Sequence, residues 1–125
     1  MLAFTFPGQG SQKPAMGEAW QDQPSWDLVT LASEASGRDV AALLLQADAD
    51  ELKLTHNAQL STFVLSMVVF DAVRRRGIGA SHVAGHSLGE YSALVAAGVI
   101  DFGTGCRLVA ERGAAMREAS LQKVG

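Results

Sequence analysis

The stretch HVAGHSLGEYSAL at residues 82–94 decides the fold. A short apolar run, then Gly-x-Ser-x-Gly, then a helix-forming run is the context of a nucleophile elbow, which holds a serine on a tight turn between strand and helix. Glycines two residues either side of Ser87 let the strand and the helix pass closely. The spacing by itself is more typical of a plain turn, so the flanking strand and helix are what favour a serine nucleophile and acyl-transfer chemistry.

Outward from this turn, short apolar segments alternate with stretches of helical periodicity. The runs at 2–6 and 82–84 predict strands, and the first ends at Pro7-Gly8. The clearest helix is predicted at 58–76, where apolar residues three and four apart share one face. Those residues are Leu60, Phe63, Val64, Met67 and Val68. The alternation predicts an α/β fold in which a parallel sheet is flanked by helices.

The remaining segments are placed by their start and stop signals. A helix is predicted at 24–36, with Ser25 as its cap and Gly37 as its stop, and another at 40–46. A polar connection is expected at 48–54. A further helix is predicted at 91–97, and a last one follows the cap Asp101 and reaches about residue 122, although three glycines within it are unfavourable for a helix.

Composition and charge narrow the functional class. The 125 residues are 48% apolar and 18% charged, with a net charge of -3, which is typical of a folded domain rather than a disordered chain. The one basic run, at 74–76, is the end of a predicted helix, so no nucleic-acid partner is expected. No membrane-spanning run, signal peptide, metal-ligand spacing or cofactor motif is evident, and Cys106 is the lone cysteine. We therefore expect a cytoplasmic protein without a membrane partner or cofactor.

Three segments carry a resemblance to a known family. GHSLGEYSAL at 85–94 resembles the active-site segment of malonyl-CoA:acyl-carrier-protein transacylases and polyketide-synthase acyltransferase domains. FPGQGSQ at 6–12 resembles their N-terminal loop, and RLVAERGAAM at 107–116 resembles the helix after their nucleophile. The resemblance implies a hydrolase-like acyltransferase core. It also implies that malonyl passes from CoA to the phosphopantetheine thiol of an acyl carrier protein through a Ser87 acyl-enzyme.

The resemblance also assigns roles to single residues. Gln9 and Leu88 are expected to form an oxyanion hole with their backbone N–H groups. Arg112 is expected to bind the malonyl carboxylate, because a guanidinium grips a carboxylate with two parallel hydrogen bonds. Gln59 and His86 are expected to line the acyl pocket, although the family usually has proline after the glutamine and this chain has leucine. His86 is not expected to activate Ser87, because neighbouring side chains on an elbow point apart.

The residues alone leave alternatives open. Without the resemblance, the residues favour Gln9 as a loop glutamine between two glycines and Arg112 as a surface arginine paired with Glu111 or Glu118. A stand-alone polyketide acyltransferase for a different acyl unit and a non-catalytic module that docks a carrier protein are the competing functions. A serine hydrolase, which rests on Gly-x-Ser-x-Gly alone, is the weakest of these readings.

The chain is also expected to be incomplete. The three histidines, at 56, 82 and 86, do not lie in the family's catalytic-histidine context. Residues 1–125 are therefore predicted to be the N-terminal part of the catalytic domain, without the histidine-bearing part and the small subdomain. The missing C-terminal part is a candidate partner as a separate chain. The fragment alone is expected to have little activity.

Overall fold

The computed structural model describes residues 1–122, and its two strands confirm the predicted α/β fold. Strand β1 (Ala3–Phe6) and strand β2 (His82–Gly85) pair in parallel. Their register runs from Ala3 opposite His82 to Phe6 opposite Gly85, so both strands end at the same edge. The loop after β1 and the turn after β2 consequently start side by side, which is how the sheet brings two distant motifs together.

Helices flank this small sheet, and most lie where the sequence predicts them. They are α1 (Asp27–Ser36), α2 (Val40–Leu45), α3 (Ala49–Lys53), α4 (Thr55–Arg75), α5 (Gly89–Ala96) and α6 (Phe102–Gln122). Short 3-10 turns at Glu18–Trp20 and Pro24–Trp26 precede them. Gly37 ends α1 in the left-handed conformation, as expected of a stop residue. Asp101 caps α6, where its Oδ1 accepts a 2.7 Å hydrogen bond from the amide of Thr104.

Two local predictions were wrong. The segment at 48–54 contains helix α3 rather than a polar connection, because Asp48 caps it through the amide of Glu51 at 2.8 Å and Leu52 anchors it at 1% exposure. Ser25 does not cap α1. Its hydroxyl donates instead to Asp71 Oδ2 at 2.6 Å, and the helix begins two residues later, after the 3-10 turn.

Helix α4 is the centre of the core and crosses α6 closely. The predicted apolar face of α4 is buried throughout, at 0–2% exposure. At the crossing, a Cβ on Gly113 would lie 2.9 Å from the Cα of His56, so only glycine allows the two backbones to approach this far. Gly113 is one of the three glycines that are unfavourable for this helix, and the structure shows that it is a contact residue. The close approach brings its neighbour Arg112 beside the buried face of α4.

Within residues 1–122, no helix combines the length and apolar character that crossing a bilayer requires. The same residues contain no group of three or more side chains able to hold a metal ion. The thiol of Cys106 is fully buried, and burial raises its pKa to about 12. This cysteine is part of the core, as expected of a small apolar side chain.

Two glycine-to-alanine substitutions should have opposite effects on stability. A Cβ on Gly89 would lie 2.2 Å from the carbonyl oxygen of Phe6, a backbone atom that cannot move aside. Gly89→Ala should therefore lower the free energy of unfolding by about 3 kcal/mol or more. Gly103→Ala, in α6, meets nothing closer than 3.6 Å and should raise it by about 0.5–1 kcal/mol. Urea unfolding of the two variants tests both signs, and equal effects would contradict the close approach at Gly89.

Candidate active site

Ser87 lies on the turn between β2 and α5, as predicted. Its φ is +54°, a left-handed conformation that costs a non-glycine residue about 1 kcal/mol or more, so the predicted backbone strain is confirmed. A Cβ on Gly85 would lie 1.9 Å from the carbonyl oxygen of Gly89. The turn is thus tight enough to require glycine at this position, and Leu88 directly after the serine is the N-cap of α5.

The loop after β1 packs against this turn. A Cβ on Gly8 would lie 2.7 Å from the carbonyl oxygen of His86 and 3.8 Å from the amide nitrogen of Leu88. The loop that carries Gln9 therefore lies beside the start of α5, as expected. Within residues 1–122, the backbone amides of Gln9 and Leu88 donate no hydrogen bond to the protein. That both amides converge on one oxyanion stays a prediction.

Arg112 reaches the nucleophile turn from α6. Its Nη2 lies 3.2 Å from Ser87 Oγ, and its Nη1 donates a 2.8 Å hydrogen bond to Gln59 Oε1. The guanidinium carbon also lies 5.6 Å from the centre of the Tyr91 ring, within cation–π range. Three elements thus hold one guanidinium beside one serine hydroxyl.

Gln59 on α4 connects three other residues of this site through its side-chain amide. Its side chain is only 1% exposed, and its Nε2 lies 2.9 Å from Met116 Sδ and 3.5 Å from Gln9 Oε1. Because the Nε2 group of Gln59 faces those two acceptors, its Oε1 atom remains to accept the hydrogen bond from Arg112. The structure therefore brings Gln9, Gln59 and Arg112 together, although they are 50 or more residues apart in the sequence.

Met116 and Tyr91 touch this site, but the sequence analysis did not assign them to it. Met116 follows Arg112 by one helical turn, so the two side chains share a face of α6. Tyr91 follows the nucleophile by one turn of α5. Helical spacing from Ser87 and Arg112 is the signal that would have pointed to both residues.

No histidine among residues 1–122 hydrogen-bonds Ser87. The ring of His56 meets Arg117, the ring of His82 meets Ser81 Oγ, and His86 is exposed on the turn. His86 adjoins the site through its backbone, since its carbonyl oxygen accepts from the amide of Gly89 at 2.9 Å. The described residues hold Ser87 on a strained turn beside a guanidinium but place no histidine ring within hydrogen-bond distance of its hydroxyl.

The charge of Arg112 is not neutralised within the described part of the chain. Neither Glu111 nor Glu118 pairs with it, and the ion pair found among residues 1–122 joins Asp71 to Arg75 near the far end of α4. Hydrogen bonds to the neutral amide of Gln59 and to Ser87 orient the guanidinium without cancelling its charge. The site therefore presents a fixed positive group, 3.2 Å from a serine hydroxyl, that suits an anionic ligand.

Comparison with known proteins gives a consistent result. Residues 3–124 match the acyl transferase domain family. A malonyl CoA-acyl carrier protein transacylase of Bacillus subtilis (strain 168) is 43% identical over 120 residues, which cover 94% of this chain and 38% of that protein. The crystal structure of an acyl-carrier-protein S-malonyltransferase from Burkholderia pseudomallei 1710b superposes with a TM-score of 0.86 at 44% identity, covering 91% of this chain and 38% of that one.

A second similar structure is a malonyl-transacylase in complex with its type II PKS acyl-carrier protein. It superposes with a TM-score of 0.86 at 42% identity and covers 94% of this chain and 39% of that one. The chain thus spans about two fifths of the length of these relatives. Since the family match extends over nearly all of its residues, the chain belongs to the acyl transferase domain family.

Proposed function

We propose that this chain carries the nucleophile half of an acyl-carrier-protein S-malonyltransferase. The observation that carries the proposal is the Arg112 guanidinium, which lies 3.2 Å from Ser87 Oγ and has no carboxylate partner among residues 1–122. An acyl group that ends in a carboxylate places a negative charge a few bonds from its thioester carbonyl. One residue can then bind that charge while the adjacent serine attacks the carbonyl, which favours malonyl over acetyl.

The reaction proceeds in two displacement steps. Ser87 Oγ attacks the thioester carbonyl of malonyl-CoA, the C–S bond breaks, and CoA leaves as the thiol while malonyl is held as a serine ester. The phosphopantetheine thiol of an acyl carrier protein then attacks that ester and restores the serine hydroxyl. In the first step a base must take the serine proton and pass it to the departing CoA sulfur. In the second step the base takes the proton of the carrier-protein thiol and passes it to the serine oxygen. We assign this base to the histidine-bearing remainder of the domain.

We assign the stabilisation of the oxyanion in each step to the backbone amides of Gln9 and Leu88. Gln9 lies on the loop after β1, which packs against the start of α5 at Leu88, and neither amide donates a hydrogen bond to another group within residues 1–122. Amides held by the fold need no reorganisation when charge develops on the oxygen, which is the source of their catalytic effect. Gln59 and His86 are assigned to the lining of the acyl pocket.

We also propose that residues 1–125 form the N-terminal part of a larger catalytic domain. An apolar groove of about 400 Å³ runs along β1 and α4, and its walls include Phe4, Leu65, Val69 and Phe70. Such a surface is unfavourable in water, and the remainder of the domain is the occupant that would cover it. We further propose that the complete protein is cytoplasmic and that malonyl-CoA and an acyl carrier protein are its partners.

Association with the remainder of the domain tests this assignment. The C-terminal remainder of the Bacillus subtilis relative, expressed as a tagged separate chain, should retain this chain on an affinity column. Val69→Lys, in the groove, should abolish retention, because burying an ammonium against apolar walls is costly. Leu31→Lys is the control, since Leu31 is 50% exposed on α1 and lies outside the groove. Equal retention of both variants would rule out the groove as the contact.

Intact-mass analysis tests the acyl-transfer function itself. The chain, with and without that remainder, is incubated with malonyl-CoA, with acetyl-CoA and with other carboxyl-bearing acyl-CoA thioesters. The expected result is a malonyl adduct in the completed domain and little adduct on acetyl-CoA. Preference for a different carboxyl-bearing acyl unit would favour a polyketide acyltransferase. Carrier-protein binding with no adduct from any thioester would favour a docking module and contradict the proposal.

A further inference from the structure

A basic cluster separate from Arg112 lies where the first turn of α4 meets α6, about one helical turn along α6 from Arg112. It is formed by Arg38 from the loop between α1 and α2, His56 from the first turn of α4, and Arg117 from α6. The Nη1 of Arg117 lies 2.8 Å from the Nε2 of the His56 ring. The Nη1 of Arg38 donates to the carbonyl oxygen of His56 at 3.1 Å, and its Nη2 donates to Asn57 Oδ1.

The cluster contains no acidic partner within residues 1–122. The acidic residues nearest in sequence, Asp39, Glu51 and Glu118, form no ion pair with it. The Asp39 carboxylate instead caps α2 by accepting from the amide of Ala42. Two permanent positive charges and one titratable ring are therefore gathered where like charges repel each other.

The helix start beneath the cluster adds to the positive potential. α4 has 21 residues, and Leu54 at its N-cap offers no side-chain acceptor to the first amides. An uncapped helix N-terminus carries a partial positive charge and attracts anions. The cluster thus combines two guanidinium groups and a helix dipole of the same sign with an imidazole that becomes positive when it is protonated.

The charges of the cluster already act on one another. Burial, and then repulsion from Arg117, lowers the pKa of Arg38. Burial, followed by repulsion from Arg38 and Arg117, likewise lowers the pKa of His56, which favours the neutral ring at neutral pH. A neutral ring nitrogen can accept the hydrogen bond that Arg117 offers. With an anion present, the ring would instead protonate and donate.

We infer that Arg38, His56 and Arg117 form a binding site for a tetrahedral oxyanion of the phosphate type. Guanidinium groups present forked donors that match phosphate oxygens, and donors from three elements suit an anion with more than two acceptor oxygens. Donors remain for it, because Nη2 of Arg117 and Nε of both arginines bond no acceptor within residues 1–122. This site is separate from Arg112 and does not depend on the acyl-transfer proposal.

Sulfate is the probe for the test, because it keeps its charge between pH 5 and 8. Imidazole resonances of the full chain are followed by NMR as sulfate replaces chloride at constant ionic strength, and His56→Gln assigns the His56 signal. We expect a saturable shift at His56 and a rise of its pKa by about one unit or more. Sulfate should bind more tightly as pH falls through the pKa of His56.

Matched variants locate the site. Arg117→Gln should weaken sulfate binding about tenfold or more, since it removes charge-assisted hydrogen bonds. Arg76→Gln removes the same charge at the other end of α4, about 30 Å away by helical rise, and should leave binding unchanged. No saturable shift at His56 in the wild-type chain, or equal weakening by both variants, would overturn the inference.

Two further titrations distinguish free phosphate from a phosphate group of CoA as the natural anion. Inorganic phosphate and free CoA are each added in place of sulfate to the wild-type chain and to Arg117→Gln. Tighter, Arg117-dependent binding of CoA would identify a phosphate group of the thioester substrate as the ligand. Binding of inorganic phosphate as tightly as CoA would identify free phosphate. Absence of saturable, Arg117-dependent binding of both ligands would contradict a phosphate-type site.

Discussion

Replacing Ser87 by alanine should lower malonyl transfer by the completed domain by about 10⁴-fold or more, because the covalent route then has no nucleophile. The malonyl adduct should also be lost from the intact protein. Alanine keeps the Cβ that serine has, so the strain at φ +54° is little changed and the variant should fold normally. The measurements are the transfer rate, the protein mass after incubation with malonyl-CoA, and the unfolding midpoint.

Ser92→Ala is the matched control for this experiment. Ser92 is fully buried on α5, one turn beyond the nucleophile turn, and its hydroxyl has no hydrogen-bond partner among residues 1–122. Removing a buried hydroxyl without a partner costs no hydrogen bond, so transfer should stay near wild type and stability should not fall. A malonyl adduct that persists in Ser87→Ala, or equal loss of malonyl transfer in both variants, would contradict the assignment of Ser87 as the nucleophile.

The sequence predicts the nucleophile turn well because the physical requirements of the turn are local. Gly85 and Gly89 are needed where strand and helix backbones nearly touch, and the strand and helix lie directly on either side. The parallel pairing of β1 with β2 was predicted for the same reason, since each short apolar run precedes a glycine-rich turn. Five-residue α3 was missed because it depends on a cap and a single buried leucine, which leave no helical periodicity to read.

The surroundings of Arg112 could not be derived from local pattern. On α6 alone, Arg112 is an arginine between a glutamate and a glycine, which fits a surface position equally well. Its place in the site depends on the close crossing of α6 and α4 at Gly113 and on the orientation of the Gln59 amide. Resemblance to a family implies that position, whereas Arg38, His56 and Arg117 follow no sequence motif and meet only in the fold.

Replacing Arg112 by alanine should weaken malonyl transfer in the completed domain about tenfold to a hundredfold. A charge-assisted hydrogen bond contributes about 1.5–3 kcal/mol, and the guanidinium here is already oriented by Gln59 at 2.8 Å. Acetyl transfer should be spared or improved, because acetyl has no carboxylate left unpaired. Arg112→Lys should recover only part of malonyl transfer, since an ammonium cannot make two parallel hydrogen bonds to a carboxylate.

Stability must be followed alongside the rates, because Arg112→Ala also leaves the buried Oε1 of Gln59 without its donor. That loss should lower the free energy of unfolding by about 1–3 kcal/mol, while Arg112→Lys can still donate to Gln59. Arg107→Ala is the control, because Arg107 is exposed on the same helix and donates only to Thr104 among residues 1–122. If Arg112→Ala lowers malonyl and acetyl transfer equally, the arginine is structural and the acyl group served by Ser87 need not carry a carboxylate.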